Sequence, residues 1–128
     1  MTRISRGPDC ENTAKSLRIE EIALALMGAG DLPDQYLSEG AIWDRTDGAI
    51  SGRNAIQATR ATLPHCDTIR VDQVVSHGKA GTASGLVTRA GQGTHLFCHV
   101  IRFTSSSAQT IAQVVSFEHA ERSNDRKR

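Results

Sequence analysis

The sequence predicts a single α+β domain in which N-terminal helices pack on a curved, mixed or antiparallel sheet. Residues 11–27 carry apolar side chains at helical spacing, whereas after residue 67 apolar and polar positions alternate, as they do in strands. Glycine-rich turns divide the second half of the chain into hairpins. A length of 128 residues is typical of one domain. We therefore expect three helices and five strands in the order α-α-β-α-β-β-β-β.

The helical half of this prediction depends on one apolar stripe and on helix-ending residues. The first helix covers about residues 11–27, and its stripe consists of Leu17, Ile19, Ile22, Ala23, Leu26 and Met27. A second, short helix begins at Asp31, with Pro33 in its first turn, and ends near Gly40. A strand at 41–45 and a turn at 46–48 precede a third helix, which begins at Ser51 or Gly52 and ends at Pro64.

The strand half is an antiparallel meander. The first long strand places Ile69, Val71, Gln73 and Val75 on one face, and further strands follow at 82–89, 94–103 and 110–118. Residues 1–10 are expected to form a flexible arm and residues 120–128 a polar tail. The domain itself is expected to span residues 11–119.

Composition argues against several classes of partner. The 15 basic and 14 acidic residues nearly cancel, so no overall field attracts nucleic acid or an anionic membrane. No apolar run approaches the length of a membrane span, and the first eight residues lack the hydrophobic core of a signal peptide. Cys10, Cys66 and Cys98 have no metal-binding spacing and indicate a reducing compartment. We expect a cytoplasmic protein.

Four short segments resemble the nuclear transport factor 2-like superfamily, which includes ketosteroid isomerases and SnoaL-like cyclases. They are residues 29–31, 40–44, 51–53 and 97–103, and the resemblance covers about residues 14–119. It implies a cone-shaped fold whose bent sheet encloses an apolar pocket, and homodimers formed through the outer sheet face. It also implies a small hydrophobic ligand and acid–base isomerase, cyclase or hydratase chemistry, with no cofactor and no metal.

Asp44 and His99 are the candidate catalytic pair. Asp44 ends the first strand, where the resemblance implies a general base; alternatively it pairs with Arg45 or Arg53, or simply begins the turn. His99 lies in the segment where ketosteroid isomerases carry an acidic residue that stabilises an oxyanion. On the inner strand face its imidazole could donate to a ligand oxygen or act as a base. The alternative is a core histidine bonded to a backbone carbonyl.

Other residues complete or weaken this interpretation. The tyrosine that ketosteroid isomerases carry on the first helix is replaced by Ala23, so we do not expect ketosteroid isomerisation itself. His95 lies about 13 Å along the strand from His99, too far for a shared metal ion. Trp43 is expected to pack in the core or in a dimer. The expected pocket lining is Ile42, Tyr36, Phe97, Ile101, Val114 and Ser116.

The opposite face of the same strand is also apolar. Leu96, Cys98 and Val100 alternate with the inner residues and need a cover, for which a second copy of the chain is the simplest choice. Two alternatives to catalysis stay open at this point. The pocket could bind a ligand without turnover, or the chain could serve as a dimeric association module.

Overall fold

A computed structural model of the chain describes residues 2–120. Within these residues seven strands form one sheet, against which two α-helices pack. The elements are β1 (Arg3–Cys10), α1 (Ala14–Leu26), β2 (Leu37–Arg45), β3 (Gly48–Ser51), α2 (Arg53–Arg60), β4 (Cys66–His77), β5 (Ala80–Arg89), β6 (Gly93–Phe103) and β7 (Ile111–Ala120). Their order across the sheet is β1-β4-β5-β6-β7-β2-β3. The α+β class and the mixed sheet agree with the sequence prediction.

Helix α1 supplies the main contact between helices and sheet. Its first turn is capped by Thr13, whose side-chain oxygen accepts the Ser16 N–H at 3.0 Å. The apolar stripe faces the sheet except at Leu17, which is 46% exposed, and Ile19 is completely buried. A Cβ atom on Gly81 of β5 would lie 2.0 Å from the Ile19 Cδ1 atom. The helix therefore packs closely on β5 because Gly81 has no side chain.

The structure has two α-helices where the sequence predicted three. The segment expected to be the second helix forms one 3-10 turn, Asp34–Tyr36. Leu37 follows at once in β2, where it pairs with Ile111 of β7 and is buried. Joining the sheet buries this leucine more fully than a short amphipathic helix could, so the tertiary pairing overrides the local signal.

Residues 3–10, expected to be a flexible arm, form an edge strand. Ile4 lies opposite Ile69 in a parallel pairing with β4. The Arg6 guanidinium binds the Glu20 carboxylate of α1, with its Nη2 atom 2.8 Å from Oε1. A register shift between Arg6 and Asp9 accommodates Pro8, which has no N–H to donate. Backbone pairing and this ion pair thus order a segment that carries no strand-like alternation.

A bulge in β4 changes which side chains reach the core. Val71 pairs with Gly85 and Gln73 with Ser84, so Asp72 has no partner in the ladder. The alternation shifts by one position, and Val74 is buried while Val75 is exposed. The prediction that Gln73 and Val75 share the face of Val71 is therefore wrong.

The meander β4–β7 otherwise agrees with the predicted strands to within two residues at each end. Its inner face is buried, and its outer face carries the partly exposed Leu96 and Phe117. Ala120 ends β7, and the remainder of the tail expected at 120–128 lies outside the described residues. No helix between residues 2 and 120 is long and apolar enough to cross a membrane.

Candidate functional site

A pocket of about 330 Å³ opens at one end of the sheet, against its inner face. The sheet supplies a mostly polar wall, formed by Trp43, Arg89, His95, His99, Ser116 and Glu118. An apolar wall on the other side consists of Leu26, Leu63 and Pro64. The rim comes from two hairpin turns and consists of Arg45, Thr46, Asp47 and Gln92.

Three side chains on neighbouring strands form a hydrogen-bonded chain in the polar wall. The indole N–H of Trp43 on β2 donates to the hydroxyl oxygen of Ser116 on β7 at 2.8 Å. The same hydroxyl lies 2.6 Å from Nδ1 of His99 on β6. The pairing of β2 and β6 on either side of β7 brings these residues together, since each occupies an inward position of its strand.

His99 is the most deeply buried histidine in the part of the chain that the structure describes. Its imidazole is 1% exposed, and Nε2 has no hydrogen-bond partner among residues 2–120. Burial lowers the pKa of His99 to about 3, and the positive charge of Arg89 acts in the same direction. At neutral pH the ring is therefore uncharged, and its buried Nε2 atom has no partner among the described residues, although the residue lines the pocket.

Arg89 and Glu118 form an ion pair in the same wall. The guanidinium bonds both carboxylate oxygens, through Nη1 to Oε1 and through Nη2 to Oε2. Burial opposes the charge on Arg89, but the hydrogen bond and the charge of Glu118 outweigh it and raise the pKa of Arg89. Its Nε atom has no hydrogen-bond partner among the described residues. Arg89 is therefore a fixed cation, and the Cys66 thiol adds a weak side-chain hydrogen bond to it.

His95 is the third side chain with an unpaired nitrogen at the pocket. It lies on the same face of β6 as His99, and its Nδ1 is buried with no partner in the described part of the chain. Within residues 2–120, the buried side-chain nitrogens and oxygens without a partner are Arg89 Nε, His95 Nδ1 and His99 Nε2. All three belong to residues that line this one pocket.

The structure does not bring Asp44 and His99 together. Asp44 alternates with the buried Trp43 along β2, and its Oδ2 atom accepts a hydrogen bond from the Gln113 side chain at 2.6 Å. It does not belong to the pocket lining. Because neighbouring residues of a strand point to opposite faces, the strand that directs Trp43 inward directs Asp44 outward.

Of the six residues expected to line the pocket, one does so. Ser116 lines the pocket, whereas Phe97, Ile101 and Val114 are buried in the core beneath it. Ile42 faces outward and is 37% exposed. Tyr36 is half-buried against the core, with the Arg18 guanidinium 4.3 Å from its ring centre.

Sequence reasoning missed the ion pair and assigned Trp43 to packing alone. A signal for the ion pair was present in the sequence. Arg89 lies two positions after Val87, and Glu118 lies two positions after Ser116, so both charged residues share the inward faces of predicted strands. Charges of opposite sign on the core faces of strands in one meander indicate a buried pair, because an unpaired buried charge is too costly. Leu63 and Pro64 come from the segment after α2, whose path the sequence pattern does not define.

Comparison with known proteins gives the fold. No family model matches the sequence, and no curated protein matches it. A nuclear transport factor 2-like protein of unknown function from Burkholderia xenovorans LB400 superposes with a TM-score of 0.68 at 14% identity, over 84% of each chain. A candidate isomerase of the SnoaL-like family from Agrobacterium tumefaciens has a TM-score of 0.61 at 15% identity, over 84% of this chain and 100% of that chain.

A candidate ketosteroid isomerase from Kribbella flavida is similar to the same extent. Its TM-score is 0.60 at 16% identity, over 84% of this chain and 79% of that chain. Sequence identities this low establish the fold but not the activity or the ligand. The chain has the nuclear transport factor 2-like fold, as its short motifs predicted.

Proposed function

We propose that this chain, with its nuclear transport factor 2-like fold, binds a small molecule in the pocket beside His99. The observation that carries the proposal is the unpaired Nε2 atom of a buried, neutral imidazole on the pocket wall. Leaving a buried polar group without a partner costs about 1–3 kcal/mol. A ligand that bonds this nitrogen recovers that cost, and the fixed Nδ1 contact holds the ring in place for it.

Size and lining define the kind of ligand. A volume of about 330 Å³ is near the lower end of the range for small-molecule sites, which is roughly 300–1,000 Å³. One wall is apolar, with Leu26 and Leu63, and the other is polar, with His99 and Arg89. This asymmetry suits a small hydrophobic molecule with one polar end.

Acid–base turnover is the second candidate function, favoured by the unpaired nitrogen of His95 on the same pocket. Isomerase, cyclase or hydratase chemistry needs a donor to polarise a carbonyl and a base to move a proton. His99 would be the donor, and His95 or Asp47 the proton carrier. Asp44 is not part of this proposal, because its carboxylate is bonded to Gln113 away from the pocket.

Self-association through the outer sheet face is part of the proposal. Leu96, Cys98 and Val100 lie on this face, next to the exposed Phe117 of β7. Leu96 is 39% exposed and Phe117 is 52% exposed, so a second copy of the chain would remove a continuous apolar surface from water. The three cysteines are free, which supports a reducing, cytoplasmic location.

The single tryptophan of the chain makes ligand binding directly observable. Trp43 lines the pocket, so its fluorescence should change when small alicyclic or aromatic ketones are added to the purified protein. Leu63→Arg on the opposite wall should abolish the response by filling the pocket. Leu17→Arg, at an exposed position of α1, is the matched control and should leave the response intact. An unchanged Trp43 emission throughout a broad ketone series would contradict the proposal.

Turnover has its own test. Ketones incubated with the protein in deuterium oxide should incorporate deuterium next to the carbonyl if a pocket base removes a proton there. His99→Gln should slow this exchange at least tenfold, and so should one of His95→Gln and Asp47→Asn, while binding monitored by Trp43 persists. Exchange at the same rate in all three variants would remove the catalytic candidate and leave the binding function.

A further inference from the structure

We propose that the pocket selects its ligand by presenting hydrogen-bond donors beside His99, so that the preferred ligand is an uncharged molecule whose polar end carries acceptors and no donor. The Trp43–Ser116–His99 chain and the Nε–H of Arg89 define these donors. This inference rests on the proposed binding function and adds to it the chemical class of the ligand.

The direction of the hydrogen-bonded chain follows from what each group can donate. An indole nitrogen is a donor only, so Ser116 Oγ accepts from Trp43. The hydroxyl proton of Ser116 then needs an acceptor, and within the described residues the atom in reach is Nδ1 of His99. Ser116 therefore donates to Nδ1. A neutral imidazole that accepts at Nδ1 carries its proton at Nε2, which makes Nε2 a donor to the ligand.

Arg89 adds a second donor near the first. Its Nη1 and Nη2 atoms are bonded to Glu118, and its Nε–H has no hydrogen-bond partner among residues 2–120. The Cys66 thiol forms a side-chain hydrogen bond with Arg89 that raises the pKa of Arg89, but the thiol proton is donated to the Met27 carbonyl at 3.0 Å, and sulfur is a weak acceptor. A ligand oxygen, which is a stronger acceptor than this sulfur, can therefore take the Nε–H.

The charges of the pocket cancel in pairs. Arg89 is matched by Glu118 in direct contact, and Arg45 lies 4.0 Å from Asp47 at the rim. With the His99 ring uncharged and each arginine matched by a carboxylate, these groups leave no net positive charge to compensate a ligand carboxylate. An anionic ligand would have to be desolvated beside Glu118, which is unfavourable. Acceptors without charge, such as those of a ketone, ester or lactone, fit the wall.

The tautomer of His99 can be measured in the unmodified protein. A long-range ¹H–¹⁵N correlation spectrum of the histidine rings distinguishes a ring protonated at Nε2 from one protonated at Nδ1. We expect the His99 signals of the Nε2–H form at pH 7. A ring protonated at Nδ1, or at both nitrogens, overturns the inference without affecting the fold.

Ligand class is tested with three compounds of nearly the same shape. Coumarin has acceptors only, 2-quinolinone replaces its ring oxygen by an N–H donor, and coumarin-3-carboxylate adds a negative charge. In ligand-detected NMR titrations we expect coumarin to bind at least tenfold more tightly than either analogue. Equal binding of coumarin and 2-quinolinone overturns the inference and leaves the proposed binding function standing. Binding of none of the three counts against both.

Variants separate the hydrogen-bonded chain from general packing. Ser116→Ala frees Nδ1 and allows His99 to take either tautomer, so the preference for coumarin should fall below threefold while binding persists. Ser84→Ala, on the outer face of β5, is the matched control and should keep the full preference. If Ser116→Ala keeps the tenfold preference, the chain does not set the selectivity and the inference is wrong.

Discussion

The guanidinium of Arg89 on β5 reaches across β6 to bind both carboxylate oxygens of Glu118 on β7. One ion pair thereby ties three neighbouring strands together in the wall of the pocket. The Arg89 side chain is 7% exposed and that of Glu118 27%, so the cation is the more strongly desolvated partner. Removing the anion therefore harms the fold more than the loss of a surface ion pair would.

Glu118→Gln should lower the free energy of unfolding by about 2–4 kcal/mol, because it leaves the Arg89 charge buried without a counter-ion. Urea unfolding followed by circular dichroism measures the change. Glu21→Gln is the matched control, since it breaks the exposed contact with Arg18 and should cost less than about 0.5 kcal/mol. Equal effects of the two substitutions would show that the Arg89–Glu118 pair adds nothing beyond a surface contact.

Acid should destabilise the protein through His99. The pKa of this imidazole is about 3 in the folded chain and 6.5 ordinarily, so between these values the unfolded chain binds the extra proton. Stability therefore falls as the pH is lowered from 7 to 4, by on the order of 3 kcal/mol from this group. His99→Gln removes the titrating ring and should flatten the pH dependence of the urea midpoint by that amount. A variant with the same pH dependence as the natural chain would contradict the buried, neutral ring.

Gly85→Ala should be strongly destabilising. A Cβ atom at this position would lie 1.9 Å from the backbone oxygen of Arg70, at the bulge of β4, and backbone cannot move aside cheaply. We expect a loss of about 2–4 kcal/mol in urea unfolding. Gly40→Ala in β2 is the control, because a Cβ there meets nothing within 4 Å and should change stability by less than about 0.5 kcal/mol. Similar results for both variants would disprove the close approach.

Leu96→Glu should weaken self-association of the chain. The substitution places a charge in the middle of the outer apolar face, where a second copy would have to bury it. Sedimentation velocity at micromolar concentration should show a dimer for the natural chain and a monomer for the variant. Leu17→Glu, on an exposed position of α1, should stay dimeric. A monomeric natural chain would argue against the proposed interface.

The fold could be predicted where local pattern and tertiary environment agree. The meander β4–β7 has a period of two and glycine turns, and the structure follows it closely. Strand β1 was missed because residues 3–10 have no alternation, and its pairing comes from the exposed edge of β4. The bulge at Asp72 could not be recognised from the sequence either, because the insertion of one unpaired residue depends on Gly85 in the neighbouring strand.

The site could be predicted only in part. His99 and Ser116 were recognised as inward-facing residues, because strand alternation alone determines their face. Asp44 was assigned by motif, although alternation with the buried Trp43 directs it outward. The contact between Trp43 and Ser116 could not be foreseen, since it depends on the parallel pairing of β2 with β7. A single sequence does not specify which distant strands become neighbours.

The parallel pairing of β2 with β7 has a kinetic consequence. It joins Trp43 to Ser116, which are 73 positions apart in the chain, whereas the β4–β7 meander forms through short hairpin loops. Closing long loops costs entropy before the contact is made, so we expect the hairpins to form first and β2 to dock late. The rate-limiting step of folding would then coincide with the arrival of Trp43 at Ser116. Refolding monitored by the fluorescence of this one indole would report the completion of the pocket itself.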